Sequence, residues 1–428
     1  MKSFFGPLLT QFRSLSKSAR LLLIALFLDG LLFAGWQLFL NLYILEAGYS
    51  REFLGMITAA PSVSALLLGV PMGLLSDRMG RKRAMMMGFT LANFGIIGLI
   101  LFPNASAKIA MAFFFGAVSQ LYILSQAPFM MKVSDDKTRD VLFSFSFGMF
   151  PLASTLGNFL AGYLPQAFKL WLPLTSNASA YQMTILFSAV SSFLVLIPLA
   201  FIKEPKLPQG VSESVKPPER DSILKILFRS QTLKLALPNL VFGLGAAILV
   251  PYFNVFFAIQ HKMSDSSLGI LFSMGSLITG IACLIGPRLV GNLGGKIRTI
   301  VAGEGASLIF LLAIGFSPWL WLAILGYLVR GALMNMVAPL FDAYSLENSL
   351  ESEHGAVNSI RGLAWNVGWA IGPYLSGVVQ EKYGFSPLFV STAILYGLGI
   401  ALTWIFFRPG KNSRGPFPTN VPAGSNPA

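Results

Sequence analysis

Along this chain, polar and charged residues gather in short clusters, and the stretches between them are apolar for about twenty residues, the length an α-helix needs to cross a bilayer. Twelve such stretches can be marked, near residues 20–45, 52–75, 84–102, 109–132, 141–165, 181–202, 233–258, 267–289, 298–316, 319–341, 356–379 and 386–407. They are too long for barrel strands and lack the alternation of apolar and polar residues that a barrel wall requires. With no water in the bilayer core, backbone groups must be satisfied within each segment, which leaves helices. The expected fold class is an all-α membrane protein of twelve transmembrane helices.

Composition agrees: 54% of the 428 residues are hydrophobic and 11% charged, and the mean hydropathy is +0.68. No soluble core needs that much apolar surface. A net charge of +13 could suggest nucleic acid, but its placement is topological. With these spans, 24 of the 31 Lys and Arg fall on one side: the N-terminal arm, the 76–83 and 132–139 loops, the 203–234 connector, 288–298 and the tail. Arg51, Lys108, Lys169, Lys262 and Lys382 fall on the other side, with Arg330 and Arg361 inside spans. The positive-inside rule then puts both termini in the cytoplasm of a multi-pass protein of the inner or plasma membrane. No nucleic-acid partner is expected.

The lone Cys283 lies in a span and His261 and His354 fall in loops, so neither a disulfide framework nor a metal site is expected. No nucleophile–base set suggests an enzyme, and no cofactor is expected. Residues 1–19 read either as an amphipathic helix on the inner leaflet or as a disordered basic arm. Residues 203–232 are Pro-rich and charged, a flexible cytoplasmic linker, with a second surface helix possible over 222–235. The tail over 408–428 is too rich in Pro, Gly, Asn and Ser to bury a core.

The linker divides the spans into two six-helix bundles, 20–202 and 233–407, and the two echo each other. Leu54-Gly55 matches Leu268-Gly269, Gly80 matches Gly294, Lys82 matches Lys296, Gly157 and Gly162 match Gly372 and Gly377, and Asn41 matches Asn254. The loop after span 2, GLLSDRMGRKR over Gly73 to Arg83, recurs in worn form as GPRLVGNLGGKIR over Gly286 to Arg298. In that alignment Gly291 stands for Asp77 and Gly295 for Arg81.

Twelve spans, a central linker, parallel six-helix repeats and that loop together resemble the major facilitator superfamily of secondary transporters. The loop fits the superfamily signature G-x-L-x-D-R-x-G-R-K-x at every fixed position. The resemblance implies a cytoplasmic gate motif of Gly73, Asp77, Arg78, Gly80, Arg81 and Lys82. In the outward-open state it would latch the two halves, with partners near the start of span 11 for Asp77 and at Asp135 or Asp136 for Arg81. A plain positive-inside turn would account for the cations but give Asp77 no task. Arg361 reads as a further gate residue, or as a partner for Asp342, Glu347, Glu351 and Glu353. The glycines of spans 5 and 11 read as helix-packing positions; Gly372-Pro373 only weakly resembles the G-P element of drug antiporters. Span 4 also lacks the Arg those antiporters carry before a Gly, since Phe115 precedes Gly116.

Ionised groups inside a membrane need a reason, and three fall within spans: Asp29, Glu304 and Arg330. The resemblance implies that spans 1, 4, 7 and 10 line the central cavity, so Asp29 and Arg330 should face it and Glu304, in span 9, should not. Asp29, Phe33, Trp36, Leu40 and Tyr43 share one helical stripe. Asp29 reads either as the coupling carboxylate or as a structural partner of Arg330 or Arg361. Trp36, Gln37, Gln120, Tyr122, Gln126, Tyr252, Asn254, Asn335, Trp365 and Asn366 complete the candidate cavity. Amides and aromatics suit an amphipathic organic solute better than a highly charged one. The expected function is alternating-access transport of a small organic solute by a monomer in the lipid bilayer, coupled to protons, with efflux of amphipathic compounds ahead of proton-coupled uptake of a sugar, organic acid or peptide. A non-transporting sensor would need a signalling domain that the short loops do not supply.

Overall fold

The computed structural model describes residues 10–135, 138–203, 226, 228–350 and 353–408, and they fold as helices joined by short turns. In chain order these are α1 Lys17–Glu46, α2 Arg51–Met79, α3 Arg81–Leu101, α4 Ala105–Val133, α5 Arg139–Trp171 and α6 Asn177–Phe201. After the connector come α7 Ser230–Gln260, α8 Asp265–Asn292, α9 Lys296–Phe316, α10 Leu320–Glu347, α11 His354–Tyr383 and α12 Ser386–Phe407. Ten of these segments are long and apolar enough to cross a membrane. The other two are α5, which ends at Trp171, and α11, which ends at Tyr383 and begins at His354, a residue that the sequence placed in a loop.

Local chemistry sets the helix ends. Ser50 and Ser264 cap α2 and α8, each hydroxyl accepting the backbone N–H three residues on, at 3.1 and 3.3 Å, which satisfies a donor the helix leaves orphaned. Gly80 and Gly295 open α3 and α9 with φ of 87° and 116°, where a side chain would be strained. This corrects the sequence alignment, which paired Gly80 with Gly294. α2 stops directly at Gly80, whereas α8 ends at Asn292 and spends Leu293 and Gly294 on an extra turn, so Lys296 occupies the place of Arg81. α1 breaks at Phe33 and α7 at the 3₁₀ turn Val250–Tyr252, where Pro251 lacks an N–H.

Three apolar cores show how the helices are arranged. One holds Leu15, Leu22, Phe89, Phe129 and Leu199 of the first half, and another holds Leu235, Ile300, Leu340 and Ile360 of the second. Both lie toward the end that carries the termini and the connector, the terminal end. The third mixes the halves at the opposite, distal end, with Leu38, Phe39 and Leu54 against Leu249, Phe253 and Phe257. The N-terminal arm joins the first core, where Leu15 is buried and the Ser16 hydroxyl donates to the Val133 carbonyl at 2.9 Å. Residues 1–9, 204–225 and 409–428 lie outside the described residues, so the arm's first half, the linker and the tail remain expectations.

At the distal end, backbones touch across the halves. A methyl group on Gly162 of α5 would lie 2.7 Å from the Gly269 Cα of α8, and one on Gly377 of α11 would lie 2.3 Å from the Arg51 carbonyl of α2. Such close approach supplies packing where lipid provides no hydrophobic drive between helices. Gly157 and Gly372 do the same work inside each half, against Leu31 and Ala247. Toward the terminal end Gly148, Gly355 and Gly362 have open space around them, and Phe147 is 79% exposed. The two halves meet distally and part toward the end that carries the termini.

Candidate functional site: two cavities beneath a closed distal end

Each half encloses a cavity, of about 450 Å³ in the first and about 550 Å³ in the second. The same helical positions line both. Leu26, Asp29 and Phe33 of α1 correspond to Asn239, Phe242 and Ala246 of α7 at the 213-residue spacing that relates Asn41 to Asn254. Phe115, Ser119, Tyr122, Gln126 and Ala127 of α4 correspond to Arg330, Met334, Val337, Phe341 and Asp342 of α10 at the 215-residue spacing that relates Gly80 to Gly295. Phe89 and Glu304 stand in the same relation, as do Ser146 and Arg361.

Their chemistry is opposite. Among the described residues, Asp29 is the one charged residue that lines the first cavity, together with Phe33, Phe89, Phe115, Phe143, Phe147 and Phe150. The Tyr122 hydroxyl interacts electrostatically with that carboxylate and has no hydrogen bond of good geometry. Gln126 lines this cavity too. The second cavity carries Glu304, Arg330, Asp342 and Arg361 with Asn335, Trp365, Asn366 and Trp369. Arg330, 6% exposed, donates to the Tyr396 hydroxyl at 2.6 Å, its guanidinium 5.5 Å from the Phe253 and Tyr396 rings. Arg361, 3% exposed, donates to Asp342 at 2.7 Å and lies over the Phe341 ring. Asp29 is therefore paired with neither arginine.

Several expected cavity residues line neither of these two cavities. Asn254 is buried in the distal closure, where its amide donates to the Leu38 carbonyl at 2.8 Å, while Asn41 donates to the Pro251 carbonyl at 2.6 Å and to Asn254 at 3.1 Å. The two repeat-related asparagines meet each other at the junction. Their spacing in the sequence was visible; that symmetry would bring them into contact was not. Tyr252 is fully buried with its hydroxyl on the Pro373 carbonyl at 2.9 Å. Trp36 packs on Phe115, 5.7 Å between rings, and lines neither cavity. Gln120 turns back to the Gly116 carbonyl of its own helix. Gln37 is exposed, one helical turn from Asn41 on the same face of α1. Glu304 was expected away from any cavity and lines the second one; the sequence signal was a carboxylate between two glycines, which alone reads as packing.

In the loop motif, Asp77 pairs with Arg81 within the motif itself, and Arg81 also donates to the Ser76 hydroxyl at 3.0 Å. Lys82 donates to the Ala200 and Ile202 carbonyls at the end of α6, at 2.6 and 2.7 Å. Gly73 approaches only Leu124 of its own half, and Arg78 is exposed. Asp135 accepts from Thr138 as α5 begins, and Asp136 and Glu351 lie outside the described residues. In the second copy Lys296 pairs with Glu347 at the end of α10, and Arg229 pairs with Glu353 at 2.7 Å.

A membrane bundle of two six-helix halves, joined at one end and holding polar groups in cavities toward the other, defines a solute transporter. The chain belongs to the Major Facilitator Superfamily, whose sequence profile matches residues 22–348 and 235–425. It is similar to the multi-drug resistance efflux pump PmrA of Streptococcus pneumoniae, 22% identical over 387 residues that cover 86% of this chain and 91% of PmrA. It is also similar to the multidrug resistance protein MdtG of Proteus mirabilis, 24% identical over 392 residues, 89% of this chain and 94% of MdtG. Among solved structures, the nucleoside transporter NupG superposes with a TM-score of 0.70 at 14% identity, covering 91% of this chain and 98% of NupG. That likeness is one of fold.

Proposed function

We propose that this protein exports amphipathic organic compounds from the cell by alternating access, driven by protons moving inward. The observation that carries the reading is the end-to-end similarity to PmrA and MdtG, proteins named as multidrug efflux and resistance proteins. Both termini and the basic loops are assigned to the cytoplasm, so the cleft between the halves opens inward here. The moving units are 20–202 and 233–407, carried by a monomer in the cell membrane. Asp29, alone among aromatics, is the coupling carboxylate: a site whose surroundings change between inward and outward states exchanges a proton on each cycle. The loop motif is the cytoplasmic latch. With the cytoplasmic side open, Asp77 turns to Arg81; with that side closed, it engages the start of α11.

Inside-out membrane vesicles test this directly. Respiration acidifies their lumen, and an exported dye such as ethidium should enter the lumen and release protons from it, seen as recovery of a quenched pH probe. Proton-linked uptake would show instead as accumulation in right-side-out vesicles. That result, with no ethidium-dependent proton release in the inverted ones, rejects export.

A further inference from the structure

Four of the nine buried side-chain polar atoms without a hydrogen bond among the described residues belong to residues lining the second cavity: Glu304 Oε2, Arg330 Nε, Arg361 Nε and Trp369 Nε1. Buried polar groups are nearly always partnered, and such a concentration of exceptions marks a place meant for something else. Arg361 is already neutralised by Asp342. Glu304 and Arg330 are not neutralised by each other, because no ion pair joins them. Tyr396 interacts with both: its oxygen accepts from Arg330, and Glu304 lies within electrostatic reach of it. A carboxyl group and a guanidinium, each with an unused polar atom, therefore belong to residues that line one cavity, with Trp365 and Trp369 in its wall. Its volume of about 550 Å³ suits a drug-sized organic molecule.

We propose that this cavity binds amphoteric aromatic compounds, with the ligand's ammonium on Glu304, its carboxylate on Arg330 and its ring against the Trp365 and Trp369 side chains. This deepens the export reading and rests on it for the direction of transport. Among the described residues, the first cavity is lined by one carboxylate and no cation, so the two halves divide the work: coupling in one, charge recognition of the solute in the other.

Three matched probes test the proposal on purified full-length protein by calorimetry: 4-(piperazin-1-yl)benzoic acid, its methyl ester and its N-acetyl derivative. The first is zwitterionic, the second cationic and the third anionic. The acid should bind roughly tenfold or more tightly than either relative, the range of a charge-assisted hydrogen bond. Glu304→Gln should erase the preference for the acid over the N-acetyl compound and keep the preference over the ester; Arg330→Gln should do the reverse. Equal binding of the three probes by the wild-type protein overturns the proposal without any variant. Glu304→Gln weakening all three alike overturns it too, since Glu304 is then structural. If none of the probes binds while ethidium still leaves against a proton gradient, the amphoteric site falls and export stands. If the acid binds as described and inverted vesicles export nothing, the site stands and export falls.

Discussion

The two cavities occupy equivalent positions in two copies of one bundle, and they have diverged where it matters for ligands while agreeing where it matters for packing. Ser50 and Ser264 cap the same helix, Gly80 and Gly295 turn the same loop, Gly162 and Gly377 close the same contact across the halves. Inside the cavities the agreement ends: Asp29 faces the place of Phe242, Phe115 that of Arg330, Phe89 that of Glu304. Packing between helices in lipid depends on backbone approach and tolerates little change, whereas a cavity wall can take a new side chain without disturbing the bundle. Duplication thus left one cavity lined by a single carboxylate among the described residues and the other by two arginines and two carboxylates. The same scaffold offers two chemistries.

The largest effect is expected from breaking the first half's chemistry. Asp29→Asn should reduce export driven by a pH gradient to background, while counterflow of labelled substrate between equal pH compartments survives. A neutral amide still lines the cavity but cannot take up or release a proton on each cycle. Should Asp29→Asn concentrate substrate as well as the wild type does, the difference between the halves is not one of coupling, and Glu304 becomes the candidate.

Next comes the distal contact. Gly377→Val sets a side chain against the Arg51 carbonyl, at a place where even a methyl would lie 2.3 Å away, so the closed distal end cannot form without backbone movement. Overpacking of this kind costs about 1–3 kcal/mol, enough to shift the conformational balance toward distal opening by a factor of about 5 to 150. Gly372→Val, which presses on Ala247 inside the same half, should lower heat stability instead. Labelling of a cysteine placed in the cleft from the distal side separates the two; equal distal labelling in both variants breaks the distinction between hinge and core.

Much of this scaffold was readable beforehand, because its causes are local. Apolar runs fix the spans, Ser50 and Gly80 fix helix ends, and the repeat fixes which glycines correspond. The one-residue slip at Gly294 arose because an extra turn after α8 leaves no mark in apolar periodicity. Cavity membership was read less well. Trp36 and Tyr252 have the right residue types on plausible faces, yet both are packed away, Trp36 on Phe115 and Tyr252 beneath Pro373. Glu304 lies on α9, a helix that the resemblance places at the periphery, yet it lines the second cavity. Which face of a long helix turns inward depends on its tilt and neighbours, and these are tertiary facts.

A smaller effect should follow at the asparagine junction. Asn41→Leu removes hydrogen bonds to Pro251 and Asn254 and leaves their acceptors buried, at a cost of about 1–3 kcal/mol to the distally closed state. Asn254→Leu should cost about the same. If the two side chains act as one lock, the double variant should cost clearly less than the two single effects together, as read from the population of distally open protein by distance measurement between spin labels. Strict additivity would mean that each asparagine holds the junction through its own backbone acceptor across the halves, independently of the other.

The smallest effects contrast the two loop copies. Asp77 lies in the last turn of α2, where a negative charge opposes the helix dipole, and Arg81 offsets it through a partly exposed pair. Lys296–Glu347, in the second copy, is also partly exposed, with side chains 29% and 58% accessible, and such pairs contribute about 0–1 kcal/mol. Lys296→Gln should therefore leave heat stability within a degree or two and export unchanged. Asp77→Asn should be equally mild on stability yet slow export several-fold, because a latch biases the balance between states without holding the fold. Cross-linking between the terminal ends of α2 and α11 should fall in Asp77→Asn and stay at the wild-type level in Lys296→Gln. Equal transport rates in the two variants would mean that the carboxylate kept in the first copy does no more than its absence in the second, and the asymmetry between the halves would then lie in the cavities alone.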